Sequence, residues 1–276
     1  MAGELELLDW RRQVAELYAA ARAEADPSHG HQLWRVGRDR LFRSHPQSPL
    51  PAQDRLRHTG LPYWPYDPAL RFELALRPAP GAGRRLAVPG GEEGLTTMVL
   101  IGCVELPRPV DATVDVWWLD QYAGGIFLPL RDGSAGTESY GGGRYALDTS
   151  KGADLGGDSD HLVVDLNFLY HPSCRYDDRW LCPLAPAGNT ITTFVAAGEC
   201  LQQRSYAESG PPPRARGRTN LADSEFHDLP HVTLVTATAP VRGDTGRDEC
   251  GLVGVVLGDL KRRKQTSYIQ RLSTRS

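Results

Sequence analysis

No stretch of the sequence approaches the roughly 18 consecutive apolar residues of a membrane-spanning helix, so we expect no membrane partner. The N-terminal segment MAGELELLDW lacks the basic region and the apolar core of a signal peptide, and a cytoplasmic location is therefore expected. Neither sign of charge dominates, because 31 Lys and Arg stand against 34 Asp and Glu. This balance gives no electrostatic case for a nucleic acid partner.

The signatures of several common chemistries are also missing. The glycine run Gly141–Gly143 matches neither a P-loop nor the dinucleotide fingerprint, and the sequence has no G-x-S-x-G elbow and no H-E-x-x-H helix. No cofactor follows from the sequence, and whether the protein is an enzyme stays open. The 5 cysteines are an odd number in a chain without an export signal, which favours reduced thiols.

What is present begins with two predicted helices. Apolar residues recur at steps of three and four from Leu7 through Trp10 to Ala21, which is one face of a helix. A second helix is predicted over about 27–43, with Asp26 as its N-cap and an apolar stripe of Leu33, Trp34, Leu41 and Phe42. Its arginines are expected on a solvated surface; they are Arg35, Arg38, Arg40 and Arg43.

From residue 60 onwards the sequence predicts strands. An aromatic, proline-rich segment at 61–68 cannot be helical and is expected to lie extended across the fold. Short β-branched or aromatic runs bounded by turn formers then follow; they are Arg71–Leu76, Met98–Val104, Thr113–Leu119, Gly125–Leu130, Arg144–Leu147, Leu162–Phe168 and Ile191–Ala196.

These elements predict an α+β fold, with two N-terminal helices packed on an antiparallel β-rich sandwich or barrel. We expect one domain over residues 1–200, helical over 1–45 and β-rich over 60–200. Residues 201–276 lose the pattern and are expected to form a poorly structured tail.

Polar side chains are concentrated in two runs between residues 129 and 199. The first, Pro129 to Tyr145, begins at the end of an apolar strand and is rich in glycine, which suits a ligand-facing loop and an ordinary hairpin equally. In the second run, Asp165 and Asn167 are predicted on one face of a strand. Such groups must be solvated, paired or directed into a cavity. A structural salt bridge from Arg131 or Arg144 to Asp165 and a contact with a ligand both remain open.

Four segments in order resemble the signature of a bacterial and archaeal family, domain-of-unknown-function family 1684. They are Arg131–Tyr145, Asp165–Cys174, Cys182–Asn189 and Ala197–Glu199, and the resemblance covers residues 5 to 199 or so. It implies one domain and no known activity. The polar residues and glycine or proline positions that it marks are Arg131, Asp132, Glu138, Tyr140, Gly143, Arg144, Tyr145, Asp165, Asn167, Tyr170, Cys174, Cys182, Pro183, Asn189 and Glu199.

The chain departs from the family pattern in three places. His171 stands where the family favours Asn in a Tyr-Asn-Pro sequence, and Leu130 and Leu166 stand where it favours Phe. Relatives tend to continue past the Gly-Glu pair with Lys and soon stop, whereas Cys200 begins a segment of different composition. A frameshift is one hypothesis for that break.

The favoured functional hypothesis is a small-molecule-binding domain. Arginine can bind carboxylate or phosphate in a fork, and amide and carboxylate groups can bind hydroxyls. The candidate ligand-binding residues are Arg131, Asp132, Glu138, Tyr140, Arg144, Asp165, Asn167, Tyr170 and Asn189. One alternative is an enzyme whose reacting group is Glu138, Asp165 or Cys174. A second is a structural polar network without a ligand.

Three residues invite a weaker metal hypothesis. His171, Cys174 and Cys182 are residue types that zinc binds, but their spacing is not that of a C-x₂-C pair, so no metal is predicted. A disulfide between Cys174 and Cys182 is geometrically easy across a loop. In a reducing compartment, two packed thiols are favoured over that disulfide.

Overall fold

Two adjacent helices precede the sheets. The structure is a computed structural model and describes residues 2–89 and 95–201. Helix α1 spans Ala2–Ala23, α2 spans Pro27–Ser44, and a short α3 spans Ala52–Arg55. The predicted cap is confirmed, because the Asp26 carboxylate accepts the backbone N–H of Ser28 at 2.9 Å and Pro27 occupies the first turn.

Among the residues that the structure describes, seven strands form two antiparallel sheets. They are β1 Arg71–Ala75, β2 Arg85–Pro89, β3 Leu95–Leu106, β4 Ala112–Asp120, β5 Ile126–Leu130, β6 Arg144–Asp148 and β7 His161–Asp165. Strands β2 to β6 pair in chain order as one five-stranded sheet, and β1 pairs with β7 in the other. The predicted α+β class with antiparallel sheets is confirmed, and in the part of the chain that the structure describes the sheets do not close into a barrel.

Three strand predictions differ from the structure. Strand β7 stops at Asp165, because its carboxylate accepts the Asn167 backbone N–H at 3.0 Å and starts a 3-10 turn over Leu166–Phe168. The prediction of a strand over Ile191–Ala196 is wrong. The backbone of this segment forms hydrogen bonds with separate groups of a neighbouring loop; for example, the Asp132 carboxylate accepts the Val195 N–H. Strand β2 was missed, as its sequence RLAVP contains proline.

Apolar side chains form separate cores on either side of β7. One fills the space between the two sheets and includes Phe72 of β1, Val116 of β4 and Val164 of β7. A second packs the helices against the end of β7 and includes Trp34 and Phe168. The helices are therefore fixed to the sheets through aromatic contacts; the ring centroids of the last two residues lie 4.9 Å apart.

The buried face of α2 differs from the predicted one. Leu33 is exposed, whereas Trp34, Leu41 and Phe42 are buried as expected. Arg38 is also buried, so the prediction of a solvated surface is wrong for this member of the arginine series, while Arg40 and Arg43 are exposed. Arg38 shares the buried face because it follows Trp34 by four residues.

The predicted tail over 201–276 lies outside the described residues, apart from Leu201. No helix of residues 2–89 and 95–201 is long and apolar enough to cross a membrane.

Because α1 packs closely on α2, we expect Gly30→Ala to destabilise the protein. A methyl group at Gly30 would lie 2.7 Å from the carbonyl oxygen of Ala21, so the helices must separate. Overpacking costs about 1–3 kcal/mol, which the gain of about 1 kcal/mol in helix propensity only partly offsets. The urea midpoint should therefore fall. Gly3→Ala is the control, because nothing lies within 4 Å of that position. Equal midpoints for the two variants would contradict the packing argument.

Candidate functional site

Arg144 lies at the centre of an enclosed structural network. Its side chain is fully buried, and Nη2 donates to the Asp132 carboxylate and to the Val195 carbonyl at 2.9 and 3.1 Å. Nη1 donates to the carbonyls of Ala197 and Glu199. The guanidinium also stands 5.0 Å from the ring centroid of Trp64. Only Nε lacks a partner among the described residues, so Arg144 has little capacity left for a ligand.

Asp165 and Asn167 belong to a different network, at the end of β7. Both are buried, and Asn167 Nδ2 donates to the Asp165 carboxylate at 2.7 Å. Tyr66 donates its hydroxyl to the same carboxylate at 3.1 Å, and Arg71 Nη1 lies 3.8 Å from it. The arginine beside Asp165 is therefore Arg71, which corrects the expected bridge to Arg131 or Arg144. Burial raises the pKa of the Asp165 carboxyl, against the hydrogen bonds that lower it.

Three other candidates, two from the glycine-rich run and one from residue 189, do not join these networks. Arg131 is exposed and donates to the carbonyl of Gly141 at 2.8 Å. Glu138 is half-buried in the same turn. Asn189 is buried beside β4, where its side chain accepts Trp117 Nε1–H at 2.8 Å and donates to the Asp115 carbonyl at 2.7 Å. The structure thus divides the predicted cluster among several places.

A third network centres on Glu199, which is 1 % exposed. One carboxylate oxygen accepts from Arg38 Nη2 at 2.9 Å and from the His171 backbone N–H at 3.0 Å. The other accepts the Tyr176 hydroxyl and faces His171 Nδ1 at 3.2 Å. His171 Nε2 in turn accepts the Tyr140 backbone N–H at 3.1 Å. Both ring nitrogens of His171 are therefore engaged, and its tautomer is set with the proton on Nδ1.

These contacts determine the protonation states of Glu199 and His171. Burial alone would raise the pKa of Glu199, but the positive charge of Arg38 and the His171 hydrogen bond outweigh it and hold the pKa at about 2. Burial lowers the pKa of His171, against the opposing effect of Glu199. At neutral pH the network therefore contains a carboxylate, a guanidinium and a neutral imidazole.

A cavity of about 100 Å³ lies between the helices and the strand β6 region. Its apolar wall comes mainly from α1 and α2 and includes Trp10, Val14, Leu17, Trp34, Leu41 and Phe42. Its polar lining consists of Tyr18, Arg38, Tyr145, Asp148, Lys151, Tyr170, His171, Ser173 and Cys182. A concave, mostly apolar space with a few polar groups is the usual form of a small-molecule site.

One polar group on this lining is unusual. Arg38 Nη1 is buried and has no hydrogen-bond partner among the described residues, although Nη2 of the same side chain binds Glu199. The guanidinium is held by aromatic rings, with its carbon 4.6 Å from the centroid of Phe42 and 5.0 Å from that of Tyr170. The Tyr18 hydroxyl is also buried without a partner of normal geometry in the described part. Buried donors left unpaired are costly, so each needs an explanation.

Cys174 and Cys182 adjoin the cavity on its loop side. The backbone N–H of Cys174 donates to Cys182 Sγ at 3.4 Å, and the Tyr140 hydroxyl lies 3.9 Å from Cys174 Sγ. Both cysteines are free thiols. In residues 2–89 and 95–201, no group of three or more His, Cys, Asp or Glu side chains could hold a metal ion.

The cavity and the predicted site overlap only slightly. Of the candidate ligand-binding residues, Tyr170 lines the cavity, as do His171 and Cys182 from the weak metal candidates. Arg38, Asp148 and Lys151 were not predicted as site residues. The sequence does contain a signal for Arg38. This charged residue follows Trp34 by four positions and precedes Leu41 by three, which places it on an otherwise apolar helix face.

Comparison with known proteins shows similarity to one family model and to solved structures. The family model described as "Protein of unknown function (DUF1684)" matches residues 57–200. The solution NMR structure of the uncharacterised protein from gene locus rrnAC0354 of Haloarcula marismortui is 29 % identical in sequence; the match covers 62 % of this chain and 91 % of that chain, with a TM-score of 0.45. No curated protein matches the chain.

The two arginines of the glycine-rich run should respond differently to replacement by methionine. Arg144→Met leaves the Asp132 carboxylate buried without its cation, which costs about 3–5 kcal/mol. Arg131→Met removes an exposed side chain and should change the free energy of unfolding by less than about 1 kcal/mol. Urea denaturation of both variants measures the difference. Similar losses would show that Arg144 is not the structural centre that its contacts indicate.

Stability should also depend on pH through Glu199. Its pKa falls from 4.5, the ordinary value, to about 2 on folding, so the unfolded chain binds the proton more tightly. The stabilisation is therefore complete above about pH 4.5 and is lost as the pH falls towards 2.

Denaturation across pH 2 to 7 tests this when wild type is compared with Glu199→Gln. The variant should be less stable at pH 7, because Arg38 loses its counter-charge, and the difference between the two proteins should shrink below pH 4.5. If the difference in stability between the two proteins stays constant down to pH 2, Glu199 is not the source of the pH dependence.

Proposed function

Because the chain belongs to the DUF1684 family of proteins of unknown function, which supplies no activity, we propose a function from the cavity: it binds a small, partly apolar molecule that presents a neutral oxygen acceptor. The observation that carries the proposal is that Arg38 lines the cavity while its Nη1 is buried without a hydrogen-bond partner among the described residues. An acceptor from a ligand would satisfy this donor where the protein itself does not.

The size of the cavity limits the ligand. A cavity of about 150 Å³ binds benzene in another protein, and this one measures about 100 Å³. The space suits about six non-hydrogen atoms at most and excludes a nucleotide or a sugar phosphate. The surrounding Trp10, Leu17 and Leu41 favour a ligand with a hydrocarbon body.

The charges around the cavity favour a neutral acceptor. Arg38 is paired with Glu199 at 2.9 Å, and Lys151 Nζ lies 3.4 Å from Asp148. Because each cation already has a carboxylate, an anionic ligand would lose its hydration without gaining an unpaired positive charge. A carbonyl oxygen accepts from Arg38 Nη1 at a smaller desolvation cost.

The two alternatives have different support. None of the candidate reacting groups Glu138, Asp165 and Cys174 lines the cavity, so an enzyme using them there lacks a supporting observation. The structural-network hypothesis suits Arg144 and Asp165, whose buried polar atoms bond mainly to the protein itself. We therefore distinguish the buried polar contacts of Arg144 and Asp165, which suit a structural role, from the cavity, which suits a ligand.

Three probes of equal size test the proposal: cyclopentanone, butyramide and butyrate. The two neutral compounds should raise the thermal midpoint and change the fluorescence of Trp10 and Trp34, which line the cavity. Butyrate should bind about tenfold more weakly, because its charge is not compensated. Tighter binding of butyrate would overturn the choice of a neutral ligand.

Filling the cavity provides the matched variants. Val14→Phe places a larger side chain in the cavity and should abolish the effect of cyclopentanone on the thermal midpoint. Val36→Phe makes the same replacement at a position of α2 that is 65 % exposed and should leave the effect intact. Equal responses in both variants, or no response to any probe in wild type, would refute the proposed site.

A further inference from the structure

Cys174 and Cys182 are held together by a local hydrogen-bonding arrangement. Cys174 belongs to the 3-10 turn Ser173–Arg175, and Cys182 lies eight positions further along the chain. The Cys174 backbone N–H donates to Cys182 Sγ at 3.4 Å. The sulfur of Cys182 is therefore the acceptor in the contact that joins the two residues.

The surroundings distinguish the two sulfurs. The pKa of Cys182 is lowered first by the neighbouring Cys174 thiol. The backbone N–H of Cys174 and the charge of Lys151 lower it further, whereas burial raises it. The same pairing raises the pKa of Cys174. Other titratable groups facing the pair are the hydroxyls of Tyr140 and Tyr145. Cys182 is therefore the more acidic sulfur of the pair.

Access also separates this pair from the other described cysteines. Cys174 and Cys182 are half-buried, and Cys182 lines the cavity, whereas Cys103 and Cys200 are buried. Burial raises the pKa of the Cys103 thiol. A reactive thiol needs both thiolate character and access, and of these four only Cys182 combines them.

We propose that Cys174 and Cys182 form a dithiol that exchanges with small organic disulfides, in which Cys182 is the attacking sulfur and Cys174 the resolving one. The assignment rests on the Cys174 backbone N–H that donates to Cys182 Sγ, which brings the two residues together, and on the position of Cys182 at the cavity lining.

The exchange proceeds in two balanced steps. The Cys182 thiolate attacks a disulfide RS–SR, so that a bond from Cys182 Sγ to SR forms, the S–S bond of the reagent breaks, and RS⁻ leaves and takes a proton from water. Cys174 then loses its proton to water and attacks Cys182 Sγ, which expels the second RS⁻ and forms the Cys174–Cys182 disulfide. The reagent gains two electrons and becomes two thiols, and the protein pair loses those two electrons.

Oxidised glutathione is the probe in the test, with the full chain and mass-spectrometric peptide mapping after acid quenching. Wild type should form the Cys174–Cys182 disulfide. Cys174→Ser should instead accumulate a glutathione adduct on Cys182, because the resolving sulfur is absent. Cys182→Ser should form an adduct on Cys174 about tenfold more slowly, since the remaining thiol lacks thiolate character. The control variant Cys103→Ser should behave as wild type.

Alkylation by iodoacetamide at pH 7 provides a second readout that does not depend on disulfide formation. Cys182 should be labelled about tenfold faster than Cys103 in the native protein, and the two rates should become equal in urea. Equal adduct rates in the Cys174→Ser and Cys182→Ser variants would overturn the assignment of the attacking sulfur. Wild type that carries glutathione on both cysteines, without an internal disulfide, would overturn the dithiol.

Discussion

The ion pair between Arg38 and Glu199 is the interaction on which the arrangement of the cavity depends. It joins α2 to a residue 161 positions later, and both side chains are at least nine-tenths buried. The same carboxylate holds the His171 backbone and the Tyr176 hydroxyl. A buried carboxylate that lost Arg38 would cost several kcal/mol, so the helix, the 171–176 loop and the cavity lining between them are held in place together.

Two buried arginines in this domain have different roles because their donors are differently used. Arg144 binds one carboxylate and three backbone carbonyls, which fixes the irregular segment 195–199 against the end of β5 and β6. Arg38 donates from Nη2 to Glu199, its guanidinium carbon lies 4.6 Å from the ring centroid of Phe42, and its Nη1 has no hydrogen-bond partner among the described residues. Arginine suits both roles because its fork can satisfy several acceptors or leave one arm available at a fixed position. The difference lies in the surroundings and not in the residue type.

Local features of the sequence were sufficient to predict most of the fold. Apolar periodicity and the Asp26 cap identified both helices, and short runs between turn formers identified six of the seven strands. The predictions failed where long-range partners decide the conformation. Residues 191–196 are as apolar as a strand, yet their N–H groups bond to the 131–133 loop, as from Ile191 to Arg131 at 2.9 Å. The same limit applies to the candidate site residues, because the sequence places Arg144 and Asp165 in neighbouring runs but does not reveal that Asp132 and Arg71 are their partners.

The polar residues that the family resemblance marks mostly describe the constraints of the fold. Arg144, Asp165, Asn167, Asn189 and Glu199 are all buried, and each bonds to backbone groups, which for all but Asn189 lie in irregular segments. A β-rich domain with long loops needs such side chains. Leaving a buried N–H or carbonyl group unpaired costs more free energy than burying the polar side chain that binds it. A shared signature of this kind therefore follows from how the loops are held. Two residues outside that set of five, Arg38, whose Nη1 has no partner among the described residues, and Cys182, both line the same cavity.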